Sequence, residues 1–485
     1  MKMQQKDCES IINYDNNIKS WKMIYLLNPP PPQQFKISRI GRCITKTKAD
    51  YVYPPTELLY IAALLRKHKF DIGVVDGALL DSAEEVFKSL HNPEFVIIIV
   101  GIFSYTYDAQ FMRHLKTLFP STKIIVFGQG ASFLTDFYLD VCDYVIYGEP
   151  EQAILQAVNG EKNVKGVSCW DNGSKVINKT PNYIENLDDL PHPARDLIDN
   201  SVYRHAFLRP YAMVYSSRGC PYVCNFCTTK SYSPKFRKRS VENVIEELTE
   251  LKEKFGVQSF GFIDDTFLLS KKRATDISEA MISQKLNMTW IALGRVDCMD
   301  ADVLRAMKAA GCKTILYGME SFDQKVLDYM KKDCTVEQIE NAVHETKKAG
   351  IEVHGFFNFG SRVDTVESIK HTIHKTEKLG LDYASFNVFV PYPGTDSYDE
   401  LKKDNLILTE EWTRYDQSGG FVFKHPTISD CDMAKLIKYA YFRFYFNKNF
   451  IFRRLKKDFT SFTLLKRDFQ NMFKIANNYL LKSDA

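Results

Sequence analysis

The sequence predicts an α/β protein with two strand–helix domains and a helical C-terminal region. At 485 residues the chain is too long for a single core, since domains average roughly 150 residues. Short apolar runs alternate with helical segments along most of it, as in parallel sheets covered by helices. The predicted divisions are a first domain at 21–160, a linker at 161–211, a second domain at 212–399 and a helical region at 400–485.

The first domain is predicted to be a doubly wound, Rossmann-like sheet of five parallel strands. Phe95–Phe103 is an unbroken apolar run, which is typical of a strand buried on both faces. Sheets of this type bind ligands beyond the carboxyl ends of their strands, so the loops there are candidate binding segments. The predicted strands are Met23–Leu27, Phe70–Val75, Phe95–Phe103, Lys123–Phe127 and Tyr144–Tyr147.

The second domain is predicted to be an open, partial (β/α)6 barrel. Its helices end at glycines, the preferred residues just past a helix, and Thr335 with Gln338 predicts a capping box. Barrels of this kind carry their chemistry at the carboxyl ends of the strands. The six predicted strands are Met213–Ser217, Ser259–Ile263, Thr289–Leu293, Thr314–Tyr317, Val353–Phe359 and Ala384–Val390.

Composition excludes several classes of protein. The longest apolar run, Phe95–Phe103, is far shorter than the roughly 18 residues of a membrane-spanning helix. The polar N-terminus does not resemble a secretory signal, and 11 cysteines are too sparse for a disulfide scaffold. A net charge of +4 gives no general case for nucleic-acid binding. We therefore expect a cytoplasmic enzyme.

Three cysteines form the strongest motif. Cys220, Cys224 and Cys227 lie within eight residues, directly after the first predicted barrel strand, whereas the other cysteines are isolated. Three thiolates at this spacing can hold an iron–sulfur cluster. A structural zinc site needs a fourth ligand, and the next cysteine is Cys298. We favour a four-iron cluster with one iron open to a non-protein ligand; zinc and three unrelated buried cysteines remain alternatives.

The segment CPYVCNFC resembles the CxxxCxxC signature of radical S-adenosylmethionine (SAM) enzymes. In that family SAM chelates the open iron, and the reduced cluster cleaves it to a 5′-deoxyadenosyl radical that abstracts a hydrogen atom. The cofactors carry this chemistry and the protein positions them. The resemblance implies a [4Fe-4S] cluster on Cys220, Cys224 and Cys227, Phe226 near the adenine, and an external electron donor such as flavodoxin or ferredoxin.

Further barrel residues match the same family. Asp264-Asp265 resembles an Asp-Asp motif near the SAM amino group, a position that suits carboxylates; helix N-capping is the alternative for either residue. Glu320, followed by Ser321, matches the glutamate that contacts the ribose of SAM, with a surface glutamate as the alternative. Arg295 ends the third strand and is the candidate partner of the SAM carboxylate.

The Asp-Asp motif and the Rossmann-like domain together resemble the cobalamin-binding radical SAM proteins. Segments 54–62 and 187–195 match that subgroup as well. No Asp-x-His-x-x-Gly motif occurs, so no histidine is expected to bind cobalt from below. The resemblance implies cobalamin contacts from Asn28, Pro29, Asp76, Ser104, Gly128, Gly130, Gly148 and Glu149.

The resemblance implies a methyltransferase that acts on an unactivated carbon of a small-molecule, lipid or natural-product substrate. Non-methylating radical chemistry (cyclisation, rearrangement or dehydration) with a vestigial cobalamin domain is the main alternative, because Gly128–Ala131 departs from the usual Gly-Gly-Pro-His. A methylthiotransferase would need a second group of three cysteines, which Cys8, Cys43 and Cys142 do not supply. A non-enzymatic metal-binding module remains as a further alternative.

Residues 441–485 are basic and aromatic, with ten Lys or Arg and three Asp. One interpretation is a helical cap whose aromatic rings pack on the barrel and whose charges are solvated. The other is an interfacial helix that contacts an anionic membrane or a lipid substrate. The segment lacks any recognised RNA-binding module, so no nucleic-acid partner is expected.

Overall fold

The computed structural model describes residues 23–32, 37–40, 43–46, 51–161, 163–206, 208–233 and 235–458. Cys8 and the part of the basic segment after residue 458 lie outside the described residues.

The first domain is a seven-stranded sheet with helices on both faces. Its strands are β1 (Met23–Asn28), β2 (Ile72–Asp76), β3 (Pro93–Ile99), β4 (Lys123–Phe127), β5 (Tyr144–Ile146), β6 (Val167–Asp171) and β7 (Ser174–Val176). The spatial order is β7-β6-β5-β4-β3-β1-β2, and β1 to β5 are parallel. This confirms the doubly wound fold, whose strand order reverses between β1 and β3.

Two antiparallel strands, β6 and β7, extend this sheet beyond the five predicted strands. They come from the segment predicted as a linker. The helices of the domain are α1 (Thr56–Lys67), α2 (Ala83–Lys88), α3 (Tyr105–Leu118), α4 (Gln129–Phe133), α5 (Thr135–Leu139) and α6 (Pro150–Val158). Strand β3 is buried on both faces: Val96 and Ile98 belong to one apolar cluster, and Ile97 and Ile99 to the other. The unbroken apolar run therefore arises from burial between two helical layers.

The second domain is the open six-stranded parallel barrel. Its strands, adjacent in chain order, are β8 (Tyr211–Val214), β9 (Ser259–Phe262), β10 (Thr289–Gly294), β11 (Cys312–Glu320), β12 (Glu352–Phe359) and β13 (Tyr383–Val388). Its helices are α7 (Thr229–Tyr232), α8 (Val241–Glu253), α9 (Lys271–Ser283), α10 (Ala301–Ala309), α11 (Gln324–Tyr329), α12 (Val336–Lys348), α13 (Val366–Leu379) and α14 (Asp396–Lys403).

Local signals fix the helix ends of this barrel. Thr335 and Gln338 form the predicted capping box at the start of α12, and Thr365 with Ser368 forms a second at the start of α13. Helix α13 ends at Gly380, whose φ of 73° is left-handed, the conformation glycine adopts without a steric cost. The two capping boxes start helices in the segments that follow β11 and β12, whereas Gly380 turns the chain from α13 towards the start of β13.

The C-terminal region contains α15 (Asp430–Tyr445) and α16 (Lys448–Asp458). The connection from α14 to α15 is mostly irregular, with a short 3₁₀ turn at Trp412–Arg414. Tyr441 and Tyr445 on α15 hydrogen-bond through their hydroxyls to the backbone of β13, at Phe386 and Ala384. Helix α15 is therefore part of the outer layer of the barrel.

Candidate active site

The cysteine loop, residues 215–228, follows β8 at the carboxyl end of the barrel. Cys224 is buried, whereas Cys220 and Cys227 are half-buried. Asn225 fastens the loop: its backbone N–H donates to the Met330 carbonyl at 3.0 Å and its side-chain amide to the Tyr329 carbonyl at 2.7 Å. The loop is therefore held against the end of α11, across the barrel mouth from β8.

The donor set of this loop fits an iron–sulfur cluster. Burial raises the pKa of Cys220 to about 11 and also raises the pKa of Cys227. Ligand thiols would therefore release protons on binding iron. Within the described ranges, no three His, Cys, Asp or Glu side chains converge as they would around one metal ion. In a cluster each thiolate binds a different iron, so convergence on one point is not required.

Asp264 and Asp265 are adjacent in sequence but have different environments. The Asp264 carboxylate is fully buried and accepts hydrogen bonds from Ser216 and Ser217, both backbone and hydroxyl, at 2.5 to 3.0 Å. Arg273 donates to it as well, at 3.2 Å. Asp265 is half-buried and accepts from the Thr229 hydroxyl, two residues past Cys227. Asp264 thus positions the start of the cysteine loop, and Asp265 faces its end. Neither residue caps a helix.

Arg295 lies against the cysteine loop. Its Nη1 is 3.6 Å from Cys224 Sγ, and its Nε donates to Asp297 Oδ1 at 2.9 Å. The guanidinium carbon is 3.5 Å from the ring centroid of Tyr222, a stacking distance. The Tyr222 hydroxyl donates to Asp297 and is 3.3 Å from Cys298 Sγ. A contact of Arg295 with the SAM carboxylate stays a prediction.

Glu320 ends β11 in a left-handed conformation, with a φ of 63°. It is buried, which rules out a surface glutamate, and its Oε1 accepts from Lys332 Nζ at 2.8 Å. Burial opposes the charge on Lys332, but the neighbouring Glu320 and Cys224 outweigh this effect and raise its pKa. A Cβ on Gly318 would lie 2.6 Å from Glu320 Oε1, so glycine makes room for this pair. Strained non-glycine residues of this kind cluster at functional sites.

Two further predicted residues also lie at the barrel mouth. The Ser321 hydroxyl is buried between Thr372 of α13 and the backbone N–H of Asp323, so it fixes the loop after β11. The Phe226 ring packs edge-on against Phe389, with centroids 6.2 Å apart. The predicted adenine neighbour thus contacts the loop that follows β13. Of the predicted residues, Asp264 and Arg295 contact the cysteine loop and Asp265 contacts the residue just after it, whereas Glu320 and Ser321 lie at the end of β11.

A second group of predicted residues meets at the edge of the first sheet. Asn28 donates to Asp76 Oδ1 at 2.7 Å, and the Tyr203 hydroxyl donates to Asp76 Oδ2 at 2.9 Å. Burial raises the pKa of Asp76, against the lowering effect of these hydrogen bonds. Because β1 and β2 are neighbours in the sheet, these hydrogen bonds join the carboxyl ends of both strands beside the switch point, which lies between β1 and β3.

Arg39 connects this pair to the next loop. It donates to the Pro29 carbonyl at 2.6 Å and to Asp108 at 2.7 Å, and the other oxygen of Asp108 accepts from the Ser104 hydroxyl. Asn28, Pro29, Asp76 and Ser104 therefore belong to one buried polar network. Sequence reasoning missed Arg39 and Asp108, because a charged pair separated by 69 positions leaves no local pattern.

The glycines at the ends of β4 and β5 lie beside a cavity between the two domains. A Cβ on Gly128 would lie 2.9 Å from the Val100 carbonyl, and one on Gly130 would lie 2.5 Å from that of Gly101. The first domain contributes Gly128, Gln129, Gly148 and Glu149 to the lining, and the barrel contributes Tyr215, Arg218 and Ser233. The carboxyl edge of the first sheet thus faces the cysteine loop across this cavity.

Four buried charged residues join the domains beside this cavity. Arg218, two residues before Cys220, donates to Glu151 at 2.6 and 3.1 Å. Arg237 makes a two-pronged contact with Glu149, which also accepts from Ser233 at 3.1 Å. Glu149, expected to contact cobalamin, is therefore part of the domain junction. Sequence reasoning assigned no role to these partners or to Lys332. The position of Arg218 beside the first cysteine could have marked it as a site residue, whereas no sequence feature marks Glu151, Arg237 or Lys332.

Comparison with known proteins decides the family. Residues 214–376 match the radical SAM superfamily. Over 440 residues the chain is 32% identical to an uncharacterised methyltransferase of Pyrococcus horikoshii, covering 87% of this chain and 93% of that protein. The chain belongs to the radical SAM superfamily. This radical SAM protein is an enzyme, and the cysteine loop falls inside the matched residues.

A second relative and a solved structure of similar fold cover most of this radical SAM enzyme. It is 25% identical over 373 residues to the bacteriochlorophyllide d C-12(1)-methyltransferase of Chlorobaculum tepidum, covering 75% of this chain and 76% of that protein. It shares the fold of the cobalamin-dependent SAM radical enzyme OxsB, solved with aqua-cobalamin and SAM bound. The TM-score is 0.71 at 16% identity, over 96% of this chain and 74% of that one. In the described part of this radical SAM enzyme, every helix is too short or too polar to span a bilayer.

Proposed function

We propose that the protein is a cobalamin-dependent radical SAM methyltransferase acting on an unactivated carbon of a small-molecule or lipid substrate. The observation that carries the proposal is a cavity between the two domains. The carboxyl edge of the first sheet lies on one side of it and the segment with the cysteine loop on the other. The carboxyl edge of the first sheet supplies Gly128 and Gly148, and the cysteine-loop side supplies Arg218. Relatives named as methyltransferases and a cobalamin-containing structure of the same fold support it.

The residues assigned to each cofactor follow from this placement. Cys220, Cys224 and Cys227 would hold the [4Fe-4S] cluster. Asp265, Glu320 and Phe226 would hold SAM, because they place two carboxylates and an aromatic ring at the barrel mouth, with Phe226 in the cysteine loop itself. Asn28, Pro29, Asp76, Ser104, Gly128, Gly130 and Gly148 form the edge assigned to cobalamin. At Gly128 and Gly130 the backbone packs so closely that a Cβ would meet the Val100 or the Gly101 carbonyl.

The cofactors supply electron transfer, a hydrogen-abstracting radical and a methyl group, and the protein supplies their arrangement. Asp264 holds the start of the cysteine loop, and Asn225 holds its end. Lys332 fixes the Glu320 carboxylate at the barrel mouth. Apolar side chains such as Met213, Ile291 and Leu316 fill the barrel interior and exclude water from it.

Reconstitution tests the proposal. Anaerobic protein is given iron, sulfide and hydroxocobalamin, and absorption and EPR spectra report the cluster and cobalamin separately. We expect both, with Gly130→Val losing cobalamin and keeping the cluster because its side chain would meet the Gly101 carbonyl. With candidate substrates, methylated product should accompany 5′-deoxyadenosine and S-adenosylhomocysteine. 5′-Deoxyadenosine without S-adenosylhomocysteine would contradict methylation and favour the non-methylating alternative.

We place the enzyme in the cytoplasm, where a one-electron carrier such as flavodoxin or ferredoxin is its expected reductant. All nine cysteines with described side chains are free thiols, which suits a reducing compartment. The direct test is to supply reduced flavodoxin or ferredoxin and measure SAM cleavage. No cleavage with either protein, alongside cleavage with a chemical reductant, would contradict this choice of partner.

We further propose that the outer face of α15 and α16 contacts an anionic membrane or a lipid. The aromatic residues of these helices divide into two faces: Tyr441, Phe444, Tyr445 and Phe450 are buried in the barrel layer, whereas Phe442 is 50% and Phe452 is 70% exposed. Basic residues such as Lys448 accompany the exposed rings, as in interfacial helices. Phe442→Ser with Phe452→Ser should reduce flotation with anionic liposomes. Equal flotation of this variant and the native protein would exclude the membrane role.

A further inference from the structure

We propose that Arg295 sets the reduction potential of the cluster by hydrogen-bonding to its ligand Cys224. The proposal rests on the proposed function, since it requires the cluster to be bound. It assigns Arg295 to the cluster ligand, whereas the sequence suggested a contact with the SAM carboxylate.

The contact joins two buried side chains. Arg295 is 6% exposed and Cys224 is 7% exposed, and the Nη1 atom lies 3.6 Å from Sγ, within reach of a hydrogen bond to sulfur. The other two cysteines of the loop are half-buried. Cys224 is thus the ligand that is best shielded from water, where a hydrogen bond has the largest electrostatic effect.

Three other contacts hold the guanidinium in place. Nε donates to Asp297, Nη2 donates to the Lys332 carbonyl, and the plane stacks on the Tyr222 ring. Tyr222 lies between Cys220 and Cys224 in the loop itself, and its hydroxyl returns to Asp297. The guanidinium of Arg295 is therefore held in one position relative to the cysteine loop.

Two charged neighbours adjust the effect of this cation. Asp297 partly neutralises Arg295, whereas Lys332 adds a second buried cation near Cys224 that is balanced by Glu320. Adding an electron to the cluster makes it more negative. A hydrogen-bond donor and a positive charge at a ligand sulfur stabilise that reduced form and raise the potential. Removing Arg295 should lower the potential, and removing the charge of Asp297 should raise it.

The test is a redox titration of the reconstituted, SAM-free cluster, followed by EPR. For Arg295→Met we expect at least a tenfold lower ratio of reduced to oxidised cluster at the native midpoint, which corresponds to about 59 mV for a one-electron couple. Arg295→Lys should shift the ratio less, and Asp297→Asn should shift it in the opposite direction. Arg305→Met, the same change at an exposed arginine of α10, should leave the native ratio unchanged.

Iron and sulfide analysis separates failure of this inference from failure of the proposed function. A native protein that binds no cluster contradicts the function. A native midpoint in Arg295→Met with full iron content overturns the proposed role of Arg295. If that variant also binds SAM more weakly, Arg295 contacts the SAM carboxylate instead, as the sequence suggested. If Arg295→Met loses iron, the other two variants decide: native midpoints in both Arg295→Lys and Asp297→Asn overturn the inference.

Discussion

Asp264 accepts two hydrogen bonds from Ser216, one from its backbone N–H at 2.7 Å and one from its hydroxyl at 2.5 Å. The end of β9 is thereby tied to the residue four positions before Cys220. The resemblance had suggested that both aspartates of the pair lie near the SAM amino group, and the hydrogen bonds of Asp264 give it a different task.

The two aspartates should therefore respond differently to substitution. Asp264→Asn leaves Arg273 with a buried charge and breaks the hydroxyl contacts, so we expect a loss of about 3 kcal/mol in the free energy of unfolding. Asp265→Asn should weaken SAM binding by about tenfold with little change in stability. Urea unfolding and equilibrium dialysis with SAM measure the two effects. Equal losses of stability in both variants would contradict this division.

The cluster ligands can be separated from the other buried cysteines. Cys224→Ala should abolish the four-iron absorption and EPR signals, because two thiolates do not hold the cluster. Cys298→Ala is the matched control: Cys298 is also buried and lies near the loop through Tyr222, yet it is not assigned as a ligand. We expect normal iron content in that variant. A normal cluster in Cys224→Ala would falsify the assigned site.

Glu320 should contribute to SAM affinity in a way that its neighbour does not. Glu320→Gln removes the charge that Lys332 neutralises, leaving a buried cation at the barrel mouth, and we expect roughly tenfold weaker SAM binding. Glu352→Gln provides the control. This glutamate is also buried, and it lies on the next strand with its contact to Thr314. Binding is measured by equilibrium dialysis; equal SAM affinity in both variants would remove Glu320 from the site.

Asp364 should make the barrel less stable as the pH rises. Burial raises its pKa to about 6 from the ordinary value of 3.8, against the lowering effect of hydrogen bonds from Ser361 and Ser368. Between about pH 4 and pH 6 the folded state keeps a proton that the unfolded chain releases, so stability falls across this window. The effect is about 3 kcal/mol at most, at 1.36 kcal/mol for each pKa unit.

Asp364→Asn cannot ionise, so its stability relative to the native protein should improve as the pH rises from 4 to 7. Urea unfolding at several pH values measures this difference. Asp276→Asn, at a half-buried residue of α9 whose carboxylate pairs with the exposed Lys272, corrects for the general effect of pH. A difference between Asp364→Asn and the native protein that stays constant with pH would refute the raised pKa.

The fold was predictable because the spacing of apolar residues reflects which faces of a strand or helix are buried. β3 is apolar from Phe95 to Ile99 because both of its faces are covered, and the Thr335–Gln338 box is local in sequence. Strands β6 and β7 were missed because they are short and mix apolar with polar residues. Trp170 and Lys175, for example, lie near the surface rather than in a continuous apolar run. Strand β6 pairs with β5, and β7 pairs with β6, so both depend on a neighbouring strand rather than on their own pattern.

The site was predictable where chemistry is carried by adjacent residues. The cluster could be predicted because one loop supplies all three ligands, Cys220, Cys224 and Cys227. The partners of a buried charge come from anywhere in the chain, so Glu149 with Arg237, 88 positions apart, could not be inferred. The same holds for Arg295, whose environment combines Tyr222, Asp297 and Lys332.

The junction of Glu149 and Glu151 with Arg237 and Arg218 constrains how this gene can recombine. A first domain from another protein that lacked either glutamate would leave an arginine buried without its counter-ion, at a cost of several kcal/mol. Functional chimaeras should therefore require that both halves of the junction be inherited together. Truncation to the barrel alone would expose the same two arginines beside the first cysteine, so the barrel is a poor candidate for study in isolation.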